Sequence, residues 1–332
     1  MKTKLIIYFL LAWSPALYSR GFEVDSFFNA DASAKEFIEN FNISQFETIP
    51  DWDQIITYKD LGWKELTMRI FNREAQDNYS PCLVFIHGGG WETRAVNQYR
   101  HYAWYFSNQG YTTIALEYRV FNDASSVTVQ DEIEDAKSAV RYVREHAGEL
   151  KIDPSKVVVA GMSAGGHLAA STVFIEGYDA SGENPDISSK PNALILQNPA
   201  IDLSENGWTG GHDLLGDDWL KLSPLHHIDS DCNSIPSLLM SGSADNLTPI
   251  RGMEEWDLRY QKRACESYLY IFEGRGHGFG NYAESKSGAS HRDFIYSIYL
   301  MDKFLTEKWY DRHFNAFISQ TVSFAMYTRY NF

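Results

Sequence analysis

The chain has 332 residues, of which 44% are hydrophobic, 15% aromatic and 22% charged, enough for a large globular core in one or two domains. With 29 Lys and Arg against 44 Asp and Glu, its formal charge is −15 at pH 7. That acidity argues against nucleic acid and against anionic membrane surfaces as partners, because both require a cationic face.

Residues 1–19 read as an export signal. Lys2 and Lys4 supply a positive start, residues 5–13 form an apolar run too short to cross a bilayer, and Ser14, Ala16 and Ser19 are small residues suited to cleavage. The competing reading is an uncleaved anchor or a buried N-terminal segment. The signal predicts a secreted or periplasmic protein with no membrane span after cleavage. An N-terminal segment follows over 20–53, with a short helix predicted over 34–41. A catalytic domain is predicted over 54–306 and an aromatic-rich tail over 307–332.

Alternation over 55–71 predicts a strand pair meeting at Gly62. A continuous apolar strand over 82–86 then ends in His87-Gly88-Gly89-Gly90-Trp91. A helix over 97–108, a strand over 112–116 and an amphipathic helix over 129–147 follow. The last is marked by Ile133, Ala136, Val140, Val143 and Ala147 at helical spacing. Further strands are predicted over 193–196, 236–240 and 268–272, with helices over 249–262 and 292–304. Residues 199–233, which carry Trp208 and Trp219, read as a loop insertion over the sheet edge. Strands alternating with helices predict a doubly wound, mostly parallel sheet with helices on both faces.

The run Val157-Val158-Val159-Ala160-Gly161-Met162-Ser163-Ala164-Gly165-Gly166-His167-Leu168 places a Gly-x-Ser-x-Gly turn between a buried strand and a helix. Small flanking residues let the backbone turn sharply and present the Ser163 hydroxyl above the sheet edge. Upstream, the Gly88 and Gly89 amides, with that of Ala164, are candidates to hold a developing oxyanion. Downstream, Asp245 follows a strand, with Asp202 as the reserve acid, and His277 lies between glycines after the last strand. The order Ser163, Asp245, His277 suits nucleophile, orienting carboxylate and base. His167 reads as a packing or hydrogen-bonding residue, and the adjacent His226 and His227 as a poor metal pair. Trp91 and Trp208 are candidate substrate contacts, because aromatic faces pack on sugar rings. Cys82 reads as a small buried hydrophobe. Cys232 and Cys265 are open to pairing that spacing cannot decide, and no Cys-x-x-Cys indicates zinc.

Together these motifs resemble the α/β-hydrolases, and within them the acetyl esterase/lipase group related to hormone-sensitive lipase. The likeness covers about residues 55–306. The stretch from Gly161 to Ala169 is similar to exported esterases that deacylate plant or algal polysaccharides. Met162 stands where many relatives of hormone-sensitive lipase have Asp. The resemblance implies ester hydrolysis through an acyl-enzyme, with short acyl groups on a small-molecule or carbohydrate substrate and no metal or organic cofactor. Hydroxycinnamoyl esters, small amides and a catalytically silent binding protein are the alternatives it leaves.

Overall fold

The structure is a computed structural model that describes residues 21–72, 79–208, 210, 214–228, 235–282 and 289–309. The predicted export signal, Cys232, part of the 199–233 insertion and the tail from residue 310 lie outside the described residues. The strands are β1 (Phe22–Glu23), β2 (Gln54–Asp60), β3 (Glu65–Phe71), β4 (Ser80–Ile86), β5 (Thr112–Leu116), β6 (Ile152–Met162), β7 (Ala193–Gln197), β8 (Ser237–Gly242) and β9 (Ser267–Phe272). The helices are α1 (Val24–Ala30), α2 (Ala32–Asn40), α3 (Arg100–Asn108), α4 (Val129–Glu145), α5 (Ala147–Leu150), α6 (Ala164–Phe174), α7 (Trp219–Leu222), α8 (Arg251–Lys262) and α9 (Ala289–Trp309).

Strand order is β1-β9-β8-β7-β6-β4-β5-β3-β2. The β2–β3 and β3–β5 pairings are antiparallel and the others parallel. This is the doubly wound arrangement that the strand–helix alternation predicts. The central strands carry continuous apolar runs, such as 82–86 and 157–160, because both their faces are covered. Val157 and Val159 of β6 point into one core with Ile133 and Ala136 of α4, Leu168 of α6 and Trp256 of α8. Val158, Ala160 and Met162 point into the opposite core, with Phe106 of α3 and Phe294 and Ile298 of α9. Each such fully buried branched side chain contributes about 1.5–3 kcal/mol.

The N-terminal segment is more ordered than its mixed composition suggests. β1 pairs in parallel with β9, Phe22 opposite Tyr270, and so covers an otherwise bare sheet edge. Glu23 and Asp31 cap α1 and α2, accepting hydrogen bonds from Asp25 and Ser26 and from Ser33 and Ala34. Phe28 stacks on Tyr296 of α9 at 3.8 Å. Among the cysteines, Cys82 is a free buried thiol and Cys265 is disulfide-bonded. No helix among the described residues is long and apolar enough to cross a membrane.

Candidate active site

β6 ends at Met162 and α6 begins at Ala164, so the whole strand-to-helix turn is made at Ser163. Its φ of 56° and ψ of −122° are rare for a residue with a side chain. The neighbours leave no alternative. A Cβ on Gly161 would lie 2.1 Å from Gly165 O, and one on Gly165 would lie 2.1 Å from Ile86 O. Backbone bonds clamp the turn: Ser163 N–H donates to Gln197 O at 3.1 Å, and Ser163 O accepts from His167 and Ala200 at 3.0 and 3.1 Å. The strain is held by packing, and the hydroxyl is presented above the strand ends.

The predicted acid and base reach that hydroxyl. Ser163 Oγ lies 2.8 Å from His277 Nε2, and His277 Nδ1 lies 2.8 Å from Asp245 Oδ2. With Nδ1–H donating to the carboxylate, Nε2 is left to accept the serine proton. Asp245 Oδ1 accepts the Leu247 and Thr248 N–H groups at 2.9 Å each, and Thr248 Oγ1 lies 2.8 Å from Oδ2. Burial alone would raise the Asp245 carboxyl; hydrogen bonds from His277 and Thr248 outweigh it and hold the group below its usual value. The acid and base loops are also laced together. Ala244 N–H donates to Arg275 O at 2.9 Å and Gly274 N–H to Ser243 Oγ at 2.8 Å. Gly242 permits this, since a Cβ there would lie 2.1 Å from Arg275 O.

The oxyanion loop corrects one expectation. Gly88 N–H is not free, because it donates to Gln98 Oε1 at 2.7 Å. Gly88 O is also engaged, 2.7 Å from His87 Nδ1. That contact orients the next peptide, whose N–H belongs to Gly89. The Gly89, Gly90 and Ala164 N–H groups have no partner among the described residues, and Ala164 opens helix α6. These amides, and not that of Gly88, are the donors available to an oxyanion, with the positive end of α6 behind one of them.

Sequence reasoning missed two residues of this site. Gln98 was read only as part of a helix, and its amide reaches the loop through a 3-10 turn that periodicity cannot reveal. Asn198 directly follows β7, has a φ of 33°, and places Nδ2 3.5 Å from both ring nitrogens of His277. Its place at a strand end, level with the other catalytic loops, is the signal that could have found it.

The family model for BD-FAE matches residues 68–256, a span that includes the oxyanion loop, the nucleophile and the acid. The chain belongs to the BD-FAE family. Its fold is the α/β-hydrolase fold of esterases. Esterase 2 of Thermogutta terrifontis, solved with propionate bound, is 35% identical with a TM-score of 0.70, over 78% of this chain and 94% of that one. The sequence likeness also reaches larger proteins. Endo-1,4-beta-xylanase B of Butyrivibrio fibrisolvens is 27% identical over 59% of this chain and 32% of its own length. The acetylxylan esterase of Xylanibacter ruminicola is 25% identical over 60% of this chain and 42% of its own. This BD-FAE chain thus spans well under two thirds of those two relatives.

Around Ser163, His277 and Asp245, the tryptophans divide. Trp91 is only 1% exposed, and its Nε1–H donates to His167 Nδ1 at 3.3 Å. It cannot offer a face to substrate, and the expectation that it does so is wrong; a glycine-rich loop needs an apolar anchor, and Trp91 is that anchor. His167 is buried, with Nε2 2.7 Å from Leu222 O, and burial lowers its pKa to about 4. It joins the serine helix to the 199–233 insertion. Trp208 is half-buried, packs edge-on to Trp91 at 4.6 Å, and lines a small cleft with Pro199, Ile201, Thr248 and Met253. Trp219 instead packs on His226 at 5.3 Å. Asp202, the reserve acid, accepts from Ser204 N–H at 3.0 Å and from Trp208 N–H through its carbonyl at 2.7 Å. It shapes the cleft loop and does not serve the base. His226 and His227 turn to Ser223 Oγ and Leu220 O at 2.9 and 3.0 Å, with no shared centre.

Proposed function

We propose that the protein is an exported serine esterase that removes short acyl groups, acetyl foremost, from polysaccharides or their oligosaccharides. The observation that carries this reading is the unbroken chain Ser163–His277–Asp245, with both links at 2.8 Å and the serine held at a positive φ. Ser163 Oγ attacks the acyl carbon while its proton passes to His277 Nε2. The carbonyl electron pair moves onto oxygen, where the Gly89 and Ala164 amides receive it. Collapse of this intermediate expels the alcohol, which takes the proton from His277, and leaves an acyl-serine. Water repeats the sequence and releases the acid. Asp245 stays ionised throughout and keeps the imidazole in the tautomer that accepts at Nε2.

Several observations favour the finer claim. The Thermogutta terrifontis enzyme has been captured with propionate and with butyrate. Two relatives carry names that concern xylan. Trp208 flanks a cleft that starts beside Thr248, next to the base, and residues 1–19 have the pattern of an export signal. Ser163→Ala is expected to lower kcat by about 10⁵–10⁶ on p-nitrophenyl acetate, with an unchanged melting profile. Acetate release from acetylated xylan, set against release of hydroxycinnamate from feruloylated xylan and of amine from small amides, tests the substrate class. Near-normal turnover by the alanine variant would sink the serine mechanism; silence on every acetylated glycan would sink the carbohydrate reading.

A further inference from the structure

We propose that Gln98 is a positioning residue of the oxyanion loop, one whose carboxamide decides which backbone amide faces the negative oxygen. The inference rests on the esterase reading above. Gln98 Oε1 accepts the Gly88 N–H at 2.7 Å, and its Nε2 lies 3.5 Å from Sδ of Met162, the residue directly before the nucleophile. One side chain therefore touches both halves of the oxyanion hole, the glycine loop and the serine turn.

The turn that presents Gln98 is anchored independently of the loop. It is a 3-10 turn, Val96–Tyr99, with Val96 and Tyr99 buried. The Tyr99 ring stacks on Phe85 of β4 at 4.8 Å. Asn97 Oδ1 accepts from Trp52 Nε1 at 3.1 Å and from Arg69 Nη1 at 2.9 Å. A carboxamide carried on such a turn is aimed by its surroundings.

At the other end, Gly88 has little slack. A Cβ on it would lie 3.0 Å from Met162 O and 3.1 Å from Ser163 Cβ, so the loop rests directly on the nucleophile turn. Gly88 N–H is drawn to Gln98 and Gly88 O to His87 Nδ1, so both polar groups of this residue are committed. The chain then turns at Gly89, with a φ of 122°, and Gly89 O accepts from Glu92 and Thr93 at 3.1 and 2.9 Å. What remains unpartnered in the loop are the N–H groups of Gly89 and Gly90. Without the carboxamide, the Gly88 N–H must seek another acceptor, and the peptide that carries the Gly89 donor tilts with it. A small misplacement of a donor costs little in ground-state binding and much in the transition state.

The test compares Gln98→Ala and Gln98→Met with Asn97→Ala, which loosens the same turn without touching Gly88. Both Gln98 variants are expected to lower kcat on p-nitrophenyl acetate about 10- to 100-fold, with KM within about twofold. Phenylboronic acid, which forms a tetrahedral adduct with the serine, should bind them more weakly by the same factor. Asn97→Ala should keep kcat within about threefold of the parent, even where it lowers Tm as much. Parent-like kcat and boronate affinity in both Gln98 variants would overturn the positioning role. So would an Asn97→Ala loss as large as that of Gln98→Ala. A parent enzyme with no Ser163-dependent ester hydrolysis would instead overturn the esterase reading, which the Ser163→Ala control reports separately.

Discussion

The loop after β8 and the first turns of α4 each bury a carboxylic acid, Asp245 at 5% exposure and Glu132 at 0%. Asp245 takes hydrogen bonds from His277, from two backbone amides and from the Thr248 hydroxyl, and is held below its usual value. Glu132 has no partner on either oxygen; burial, aided by the nearby Asp135 and Asp131, pushes it well above its usual value. Similar burial thus gives opposite charge states, and partners decide between them. The partnered acid serves the base. The unpartnered one lies near Tyr118, whose hydroxyl donates to His87 O at 3.0 Å, and so sits behind the oxyanion loop.

The sharpest way to break this contrast is Asp245→Asn. The amide would keep the shape of the site but present an N–H to His277, so kcat should fall about 10⁴-fold with the fold retained. A loss below about tenfold would mean that the acid is not what orients the base. Thr248→Val is milder, removing one of the donors to Asp245 while both amide donors remain. Turnover should fall about three- to tenfold, and the carboxylate should stay ionised down to pH 5. A complete loss of activity would show that the hydroxyl serves the base directly.

The smallest effect is on stability and separates the two acids by pH. Asp245 has a depressed folded value, so its contribution is present above the unfolded carboxylate value of 3.8 and is lost as pH falls through the folded value. Glu132 has a raised folded value, so the folded protein keeps a proton that the unfolded chain releases above 4.5, and stability falls as pH rises from there. Glu132→Gln removes that penalty. Its Tm should rise by about 2–5 °C at pH 8 and by less at pH 5, with kcat little changed. An equal shift at both pH values would mean that Glu132 is ionised in the fold.

Much of the site could be read along the chain. Ser163, Asp245 and His277 each sit in a local signature, a strand followed by small residues, and the fold brings the three together as that signature predicts. The strand over 112–116 matches its predicted bounds, because a short run of β-branched and apolar residues between turns has one simple reading. The misreadings share a cause. Gly88 and Trp91 lie in the same motif as Gly89, and nothing local separates an amide aimed at substrate from one aimed at Gln98. The ordered N-terminal segment was equally hidden, since Phe22 and Glu23 form a strand only because β9 offers an edge.

By itself, then, the sequence determined the alternation of strands and helices, the two-sided burial of the central sheet and the three side chains, Ser163, His277 and Asp245, that the fold joins by hydrogen bonds. Those follow from short-range periodicity and from side chains that small neighbours expose. The tertiary structure decided which amides remain for the oxyanion, which tryptophan faces the cleft, and which buried acid keeps its charge. Each of these depends on a hydrogen-bond partner distant in the chain, Gln98 for Gly88, His167 for Trp91 and His277 for Asp245. A donor or acceptor is available to substrate only when folding has not already given it a partner, and that is settled in three dimensions.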